Sequence, residues 1–263
     1  MKRLLLLIGL VVIIAPLHAQ NLTEKVTIRR TAYGVPHIVA DDLQAVAFGL
    51  AYAELEDRGE KVVFPLVRSK GILAKYMGIE NADNDLYAKL VLEHTRATYH
   101  LLNQDTRDIL EGFAAGVNHY LKLHPDELPE WYYHEFTGID VAATSNRGSR
   151  PSPGYARDFL RKLEEEKRLA QANDDAGSNV WAFAPERTKS GNAILMRNPH
   201  LSWQAGYYEA HITVPGKVNF YGDFRIGGMF AIICGFNDHL GWSTTNNHPD
   251  LEEVYALKVD PSK

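Results

Sequence analysis

The stretch SNVWAFAPERTKSGNAILMRNPHLSW, Ser178–Trp203, is where the chain changes character. Val180 to Ala184 alternates aromatic and small residues, with the period of two that a strand requires. Ala193 to Met196 offers a second strand, reached across a Gly- and Ser-containing turn. Further strand candidates follow at Tyr207–Val214, Val218–Tyr221, Phe230–Cys234 and Leu240–Thr244, separated by Gly, Pro and Asn-Asp turns. From Ser178 onward the chain reads as β.

Upstream of that stretch it reads mainly as helix. Val26–Arg30 and Pro36–Ala40 are two short strands around the turn-prone Tyr33-Gly34. Asp41 or Asp42 can then cap a helix by accepting from its free N–H groups. Leu43, Val46, Ala47, Leu50 and Ala51 follow at helical spacing and form one apolar stripe. A second helix is expected from about Leu86 to Leu102. A third opens at Asp105, with Ile109, Leu110, Phe113, Val117 and Leu121 on one face and Pro125 beyond its end. Thr144–Gly154 is a loop by its Ser, Pro and Gly content. In Arg157–Arg168 nine of twelve residues are charged, which reads as a solvated spacer helix. The spacer runs out in the turn formers Asn173 to Gly177, immediately before Ser178.

Composition narrows the function. The 263 residues are 45% hydrophobic, and 28 Lys and Arg against 33 Asp and Glu leave a formal charge of −5. No basic tract stands out, so nucleic acid is not expected as a partner. The lone Cys234 rules out an internal disulfide framework, a CxxC redox pair and a cysteine-rich zinc site. Residues 1–19 read as an export leader: Met1-Lys2-Arg3 is positive, Leu4–Leu17 is nearly all apolar, and Leu17 and Ala19 precede the expected cut. The apolar run falls short of the ~20 residues of a membrane-spanning helix. The expected location is therefore periplasmic or secreted, with no stable membrane association after the leader is removed.

Common catalytic signatures are missing. GxSxG, HExxH, the P-loop and GxGxxG do not occur, and the eleven histidines are scattered. The informative place is the junction Gly177-Ser178-Asn179, between a charged spacer and a strand. A Gly-Ser pair alone is ordinary, but its context is not. Ser178–Trp203, followed by YYEAHITVPG from Tyr207, resembles the start of the mature β chain in the penicillin and cephalosporin acylase family of N-terminal nucleophile hydrolases. RRTAYGVPHIVADD and FGLAYAELEDR are similar to the opening of that family's α chain. His200 in NPHLSW resembles the cephalosporin and acyl-homoserine lactone acylase branches.

The resemblance implies an α+β fold of the αββα sandwich type, incomplete in this chain. It divides the chain into a leader (1–19), a mainly helical α-chain portion (20–150), a removable spacer (151–177) and the start of a β chain (178–263). It implies self-cleavage between Gly177 and Ser178, yielding an α/β heterodimer. A freed Ser178 amine, with an ordinary pKa of about 7.7–8.0, can act as base toward its own hydroxyl near neutral pH. Gly177 suits the junction because it tolerates unusual dihedrals while Ser178 attacks the carbonyl before it. His200 is assigned to orienting the nucleophile, and the backbone N–H of Asn247 to one half of an oxyanion hole.

Leu201, Trp203, Tyr208, Phe230 and Cys234 match or neighbour positions lining the family's acyl pocket, although each could equally be sheet core. Asp250 and Glu253 resemble carboxylates that bind calcium in some members; no cofactor is required. The expected activity is hydrolysis of the amide bond in a small N-acyl substrate, either a β-lactam side chain or an acyl-homoserine lactone. Family β chains continue well past the position of Lys263, so the chain reads as truncated. The alternative is an inactive relative that at most binds acyl ligands or a partner.

Overall fold

The computed structural model describes residues 22–145, 161, 164, 178–201, 206–227 and 232–245. β1 (Val26–Arg30) and β2 (Pro36–Ala40) form an antiparallel hairpin registered from Val26↔Ala40 to Arg30↔Pro36. Its turn is held by the Thr31 hydroxyl oxygen, which accepts from the Val35 N–H at 3.2 Å, and by Gly34 at φ +86°, a left-handed conformation that favours glycine. The Tyr33-Gly34 turn is thus where the sequence puts it.

Asp42 rather than Asp41 caps α1 (Leu43–Arg58), its Oδ1 accepting from the Ala45 N–H at 2.8 Å. The stripe of Leu43, Val46, Ala47, Leu50 and Ala51 is buried, and so are Ala45, Phe48, Gly49, Ala53, Glu54 and Leu55. A helix buried nearly all round must be covered on both sides, and its small residues show how. A methyl on Gly49 would run into Val26 and Ile38 of the hairpin. On the opposite side the chain continues through α2 (Glu60–Ser69), α3 (Leu73–Met77), α4 (Ala82–Thr98) and α5 (Gln104–Leu123). In α5, a methyl on Gly112 would overlap the Gln44 carbonyl oxygen, and one on Gly116 that of Phe48. α1 is therefore the middle layer, with α5 on one side and a sheet on the other.

α5 begins one residue before the expected Asp105, capped by Asn103 Oδ1 on the Thr106 N–H at 2.8 Å. The expected Leu86–Leu102 helix starts earlier, at Ala82, and tightens into a 3₁₀ turn at Tyr99–Leu101. α2, α3 and α6 (Gly138–Ser145) were not anticipated. Pro65 lies inside α2 and Gly71 and Gly78 interrupt the pattern on either side of α3, which hides the periodicity. Of the charged spacer only Arg161 and Glu164 are described, and both are helical.

β3 (Ser178–Phe183) and β4 (Ile194–Pro199) form a two-stranded antiparallel sheet of their own. β5 (Tyr207–Val214), β6 (Val218–Arg225), β7 (Ile232–Phe236) and β8 (Gly241–Trp242) join the N-terminal hairpin in one six-stranded sheet ordered β1-β2-β5-β6-β7-β8. The seam is the parallel pairing of β2 with β5, His37↔His211 to Val39↔Thr213. Ile38, Ala40, Tyr208, Ala210, Ile212, Val214, Phe220 and Phe224 face the helices and belong to the same buried cluster as α1 and α5. The mixed α+β architecture agrees with the sequence reading. The leader lies outside the described residues, and no described helix is long and apolar enough to cross a membrane.

Candidate functional site

Ser178 is half-buried at the head of β3, directly across from Pro199. Side chains alternate along a strand, so Ser178 shares a face of the hairpin with Val180, Pro199, Arg197 and Leu195. This is the face turned toward the large sheet. Leu195, Arg197 and Pro199 are half-buried there, whereas Ile194, Met196 and Asn198 on the other face are exposed. Arg197 makes the connection: its guanidinium pairs with the Asp223 carboxylate of β6 and lies 4.9 Å from the ring centre of Tyr207 on β5. The Arg197 side chain is 12% exposed, a setting where an arginine needs both an acid and an aromatic face.

The opposite face carries Asn179, Asn198 and His200. Asn179 and Asn198 are directly paired across the two strands. Both present their amide nitrogens to Nε2 of His200, at 3.0 and 3.3 Å respectively. His200 is therefore held at the same end of the hairpin as Ser178, on the face away from the Ser178 side chain.

The outer face of the large sheet carries a polar row across the seam. Nδ1 of His37 on β2 lies 2.9 Å from Nδ1 of His211 on β5, and Nε2 of His211 is 2.7 Å from Asn219 Oδ1. The Asn219 amide nitrogen donates to Asp238 at 3.3 Å, which fixes which end of that amide faces His211. His211 therefore donates to that oxygen through Nε2.

Three comparisons with known proteins bear on this arrangement. The penicillin amidase family matches residues 25–263. The chain belongs to that family. It is 29% identical over 274 residues to the acyl-homoserine lactone acylase PvdQ of Pseudomonas fluorescens strain Pf0-1, a match covering 89% of this chain and 34% of that protein. It is 28% identical to the aculeacin-A acylase of Actinoplanes utahensis, over 83% of this chain and 33% of that one. Among solved structures, a thermostable penicillin G acylase from Alcaligenes faecalis matches at 26% identity with a TM-score of 0.41, covering 57% of this chain and 89% of that chain. The chain thus spans about a third of the length of these curated relatives.

Within this member of the penicillin amidase family, the residues singled out from sequence fall into three groups. Ser178 and His200 come together at one end of the β3–β4 hairpin, and Leu201 follows there, 43% exposed. Cys234 is buried on β7, directly across from Asp223, on the sheet face to which Arg197 ties the hairpin. Tyr208 is elsewhere, in the sheet core, which is one of the two readings open to it from sequence. It faces the helices, is 5% exposed, and donates its hydroxyl to the Asp57 carboxylate at 2.6 Å and the Ala53 carbonyl at 2.9 Å. The reason is strand alternation: on β5 it is Tyr207 that points toward the hairpin. Gly177, Trp203, Phe230, Asn247, Asp250 and Glu253 lie outside the described residues, and among the described ones no three His, Cys, Asp or Glu side chains gather to hold a metal.

Sequence reasoning missed Arg197, Asp223, Tyr207, Asn179 and Asn198. The signal available was the inward spacing of Arg197 and Pro199 in MRNP, an arginine at an alternate position of a strand that is otherwise apolar on that face.

Proposed function

We propose that the chain is the exported precursor of an acylase that hydrolyses the amide bond of a small N-acyl compound through a serine exposed by self-cleavage. The observation that carries this reading is the family match over residues 25–263, with Ser178 standing at the head of a strand as the first residue after the spacer. In the cleavage step the Ser178 hydroxyl attacks the Gly177 carbonyl, the acyl group shifts from nitrogen to oxygen, and water hydrolyses the ester. The products are a Gly177 carboxylate and a free Ser178 amine. In turnover the same hydroxyl takes the acyl group from substrate, the amine product leaves with the proton, and water regenerates the serine.

The relatives named as acyl-homoserine lactone and aculeacin-A acylases favour an acyl-homoserine lactone or another lipid-like N-acyl amide over a β-lactam side chain. Export, with removal of residues 1–19 and release into the periplasm or medium, belongs to the same proposal, as does a calcium ion at Asp250 and Glu253. The two products of cleavage would stay together as a heterodimer, because β2 and β5 share a sheet across the cut.

The test is N-terminal sequencing of the purified protein with its β chain extended to the length found in its relatives, followed by assays on a medium-chain N-acyl-homoserine lactone and on benzylpenicillin. A second N-terminus at Ser178 with acyl release is expected. A single start at Gln20 and no release from either substrate would overturn the reading.

A further inference from the structure

We infer that Asn179 and Asn198 are positioning residues of the nucleophile site, clamping His200 in the tautomer that accepts at Nε2 and carries its proton on Nδ1. The inference rests on the acylase reading for its functional half, whereas its structural half stands on geometry alone.

An amide nitrogen has hydrogens to give and no lone pair to offer. Two such nitrogens, 3.0 and 3.3 Å from the same Nε2, require that atom to be the acceptor. A neutral imidazole carries one proton, so it must lie on Nδ1. The clamp comes from sequence through register: Asn179↔Asn198 is a direct cross-strand pair, so both amides stand on one face, and Pro199 ends the ladder just before the ring.

Two consequences follow for the chemistry. His200 cannot take the Ser178 proton through Nε2, because that lone pair is occupied and lies on the face opposite the Ser178 side chain. With Nε2 accepting, the ring's donor is its Nδ1–H, so His200 serves the proposed site as a hydrogen-bond donor rather than as a base through Nε2. Sequence motifs reading Ser-Asn at the cleavage point and Asn-Pro-His at the end of the next strand thereby acquire a shared role.

The experiment is long-range ¹H–¹⁵N correlation spectroscopy on the ¹⁵N-histidine-labelled 263-residue chain, with His200→Gln used to assign the signal. The Nδ1–H pattern is expected for His200. Asn179→Asp keeps shape but replaces the donor with an acceptor, and should move the proton to Nε2; Asn179→Gln keeps a donor and should retain Nδ1–H. The rate of Gly177–Ser178 cleavage, followed by mass spectrometry across pH, should fall at least tenfold in Asn179→Asp and recover in Asn179→Gln. An Nε2–H signal in the unaltered protein would overturn the clamp. A tautomer that switches without any change in cleavage rate would overturn its role in positioning. A protein that never cleaves while showing Nδ1–H at His200 would sink the acylase reading and the functional half with it, leaving the clamp as a feature of the fold.

Discussion

The Tyr208 hydroxyl donates to the Asp57 carboxylate at 2.6 Å, tying β5 to the last turn of α1 across the proposed cleavage point. Arg30 reaches the same carboxylate at 2.8 Å from the end of β1, and Asp57 therefore links strands from both sides of Ser178. Burial first, and the Asp57 carboxylate second, hold the Tyr208 phenol well above its ordinary pKa, so it stays a donor throughout the working range. Replacing Tyr208 with Phe should weaken the association of the two products by about 1–2 kcal/mol, since a hydrogen bond to a charged acceptor is lost while Asp57 keeps Arg30. Denaturant titration of the cleaved protein, monitored by size-exclusion chromatography, reads this as dissociation at lower denaturant. An unchanged midpoint would mean that the β2–β5 ladder alone holds the halves together.

The contact between α1 and α5 depends on the absence of two side chains. Gly116→Val places branched carbons against the Phe48 carbonyl and the Ala51 methyl, and backbone cannot yield as a flexible side chain does. A loss of about 1–3 kcal/mol or more is expected, as for other overpacked cores. Gly191→Ala, where nothing stands within 4 Å, provides the control, although its φ of +70° carries a backbone cost of its own. Thermal unfolding of both variants should show the larger drop in Tm for Gly116→Val.

How much of this was legible beforehand follows from the physics of each element. α1 and α5 could be read because their apolar residues recur at 3.6-residue spacing beside good caps at Asp42 and Asn103. β5 could be placed to the residue because Tyr207–Val214 alternates cleanly. α2 was lost because Pro65 and a charged start break its pattern. The seam between β2 and β5 could not be read at all, since a parallel pairing of residues 174 positions apart leaves no local trace. Site residues split along the same line. The motif named Ser178 and His200, which the structure brings to one end of the β3–β4 hairpin, whereas the choice between pocket and core for Tyr208 was open in the sequence, because one position of strand register decides which sheet face a side chain occupies.

Glu54 sets a pH dependence. Its side chain is fully buried in α1, with Oε2 accepting from the Gly227 N–H at 3.1 Å and Oε1 lacking a partner among the described residues. Burial pushes its pKa well above the ordinary carboxylate range, and the Gly227 bond only partly offsets that. A group whose pKa is raised in the folded state contributes its full stability below the unfolded value, and loses it as pH rises through the folded value. Stability should therefore decline as pH rises from the ordinary carboxylate range toward the raised folded value, over which Glu54 is ionised in the unfolded chain and still protonated in the folded one. Glu54→Gln should flatten that decline, because a neutral amide fills the same space and can still accept from Gly227. Urea midpoints from pH 5 to pH 9 would show it, and parallel curves for the two proteins would contradict it.

Arg197 should govern how the nucleophile hairpin docks. Its guanidinium is nearly buried between Asp223 and the Tyr207 ring, and its Nε has no partner among the described residues. Arg197→Met keeps most of the apolar stem but strands Asp223, so the hairpin should loosen from the large sheet while the helical layers stay intact. Hydrogen exchange resolved by mass spectrometry should rise in peptides covering residues 178–200, with little change in α1 or α5. Double replacement with Asp223→Asn should restore part of the protection, since removing both charges costs less than removing one.

The last prediction concerns Ser178 itself. If one hydroxyl performs both the attack on Gly177 and the attack on substrate, Ser178→Ala must abolish cleavage and acyl release together. The fold should survive, because Ser178 is only half-buried and its backbone pairing with Pro199 does not involve the side chain. Ser178→Cys separates the two functions: a thiolate is a strong nucleophile, so the acyl shift and cleavage should persist, while turnover falls because the site is shaped around an oxygen. Mass spectrometry of each purified variant, with circular dichroism to verify folding, gives the first half of the answer, and release of acyl chain from an N-acyl-homoserine lactone gives the second. Cleavage in a folded Ser178→Ala protein would place the nucleophile on another residue and remove the foundation of the acylase mechanism.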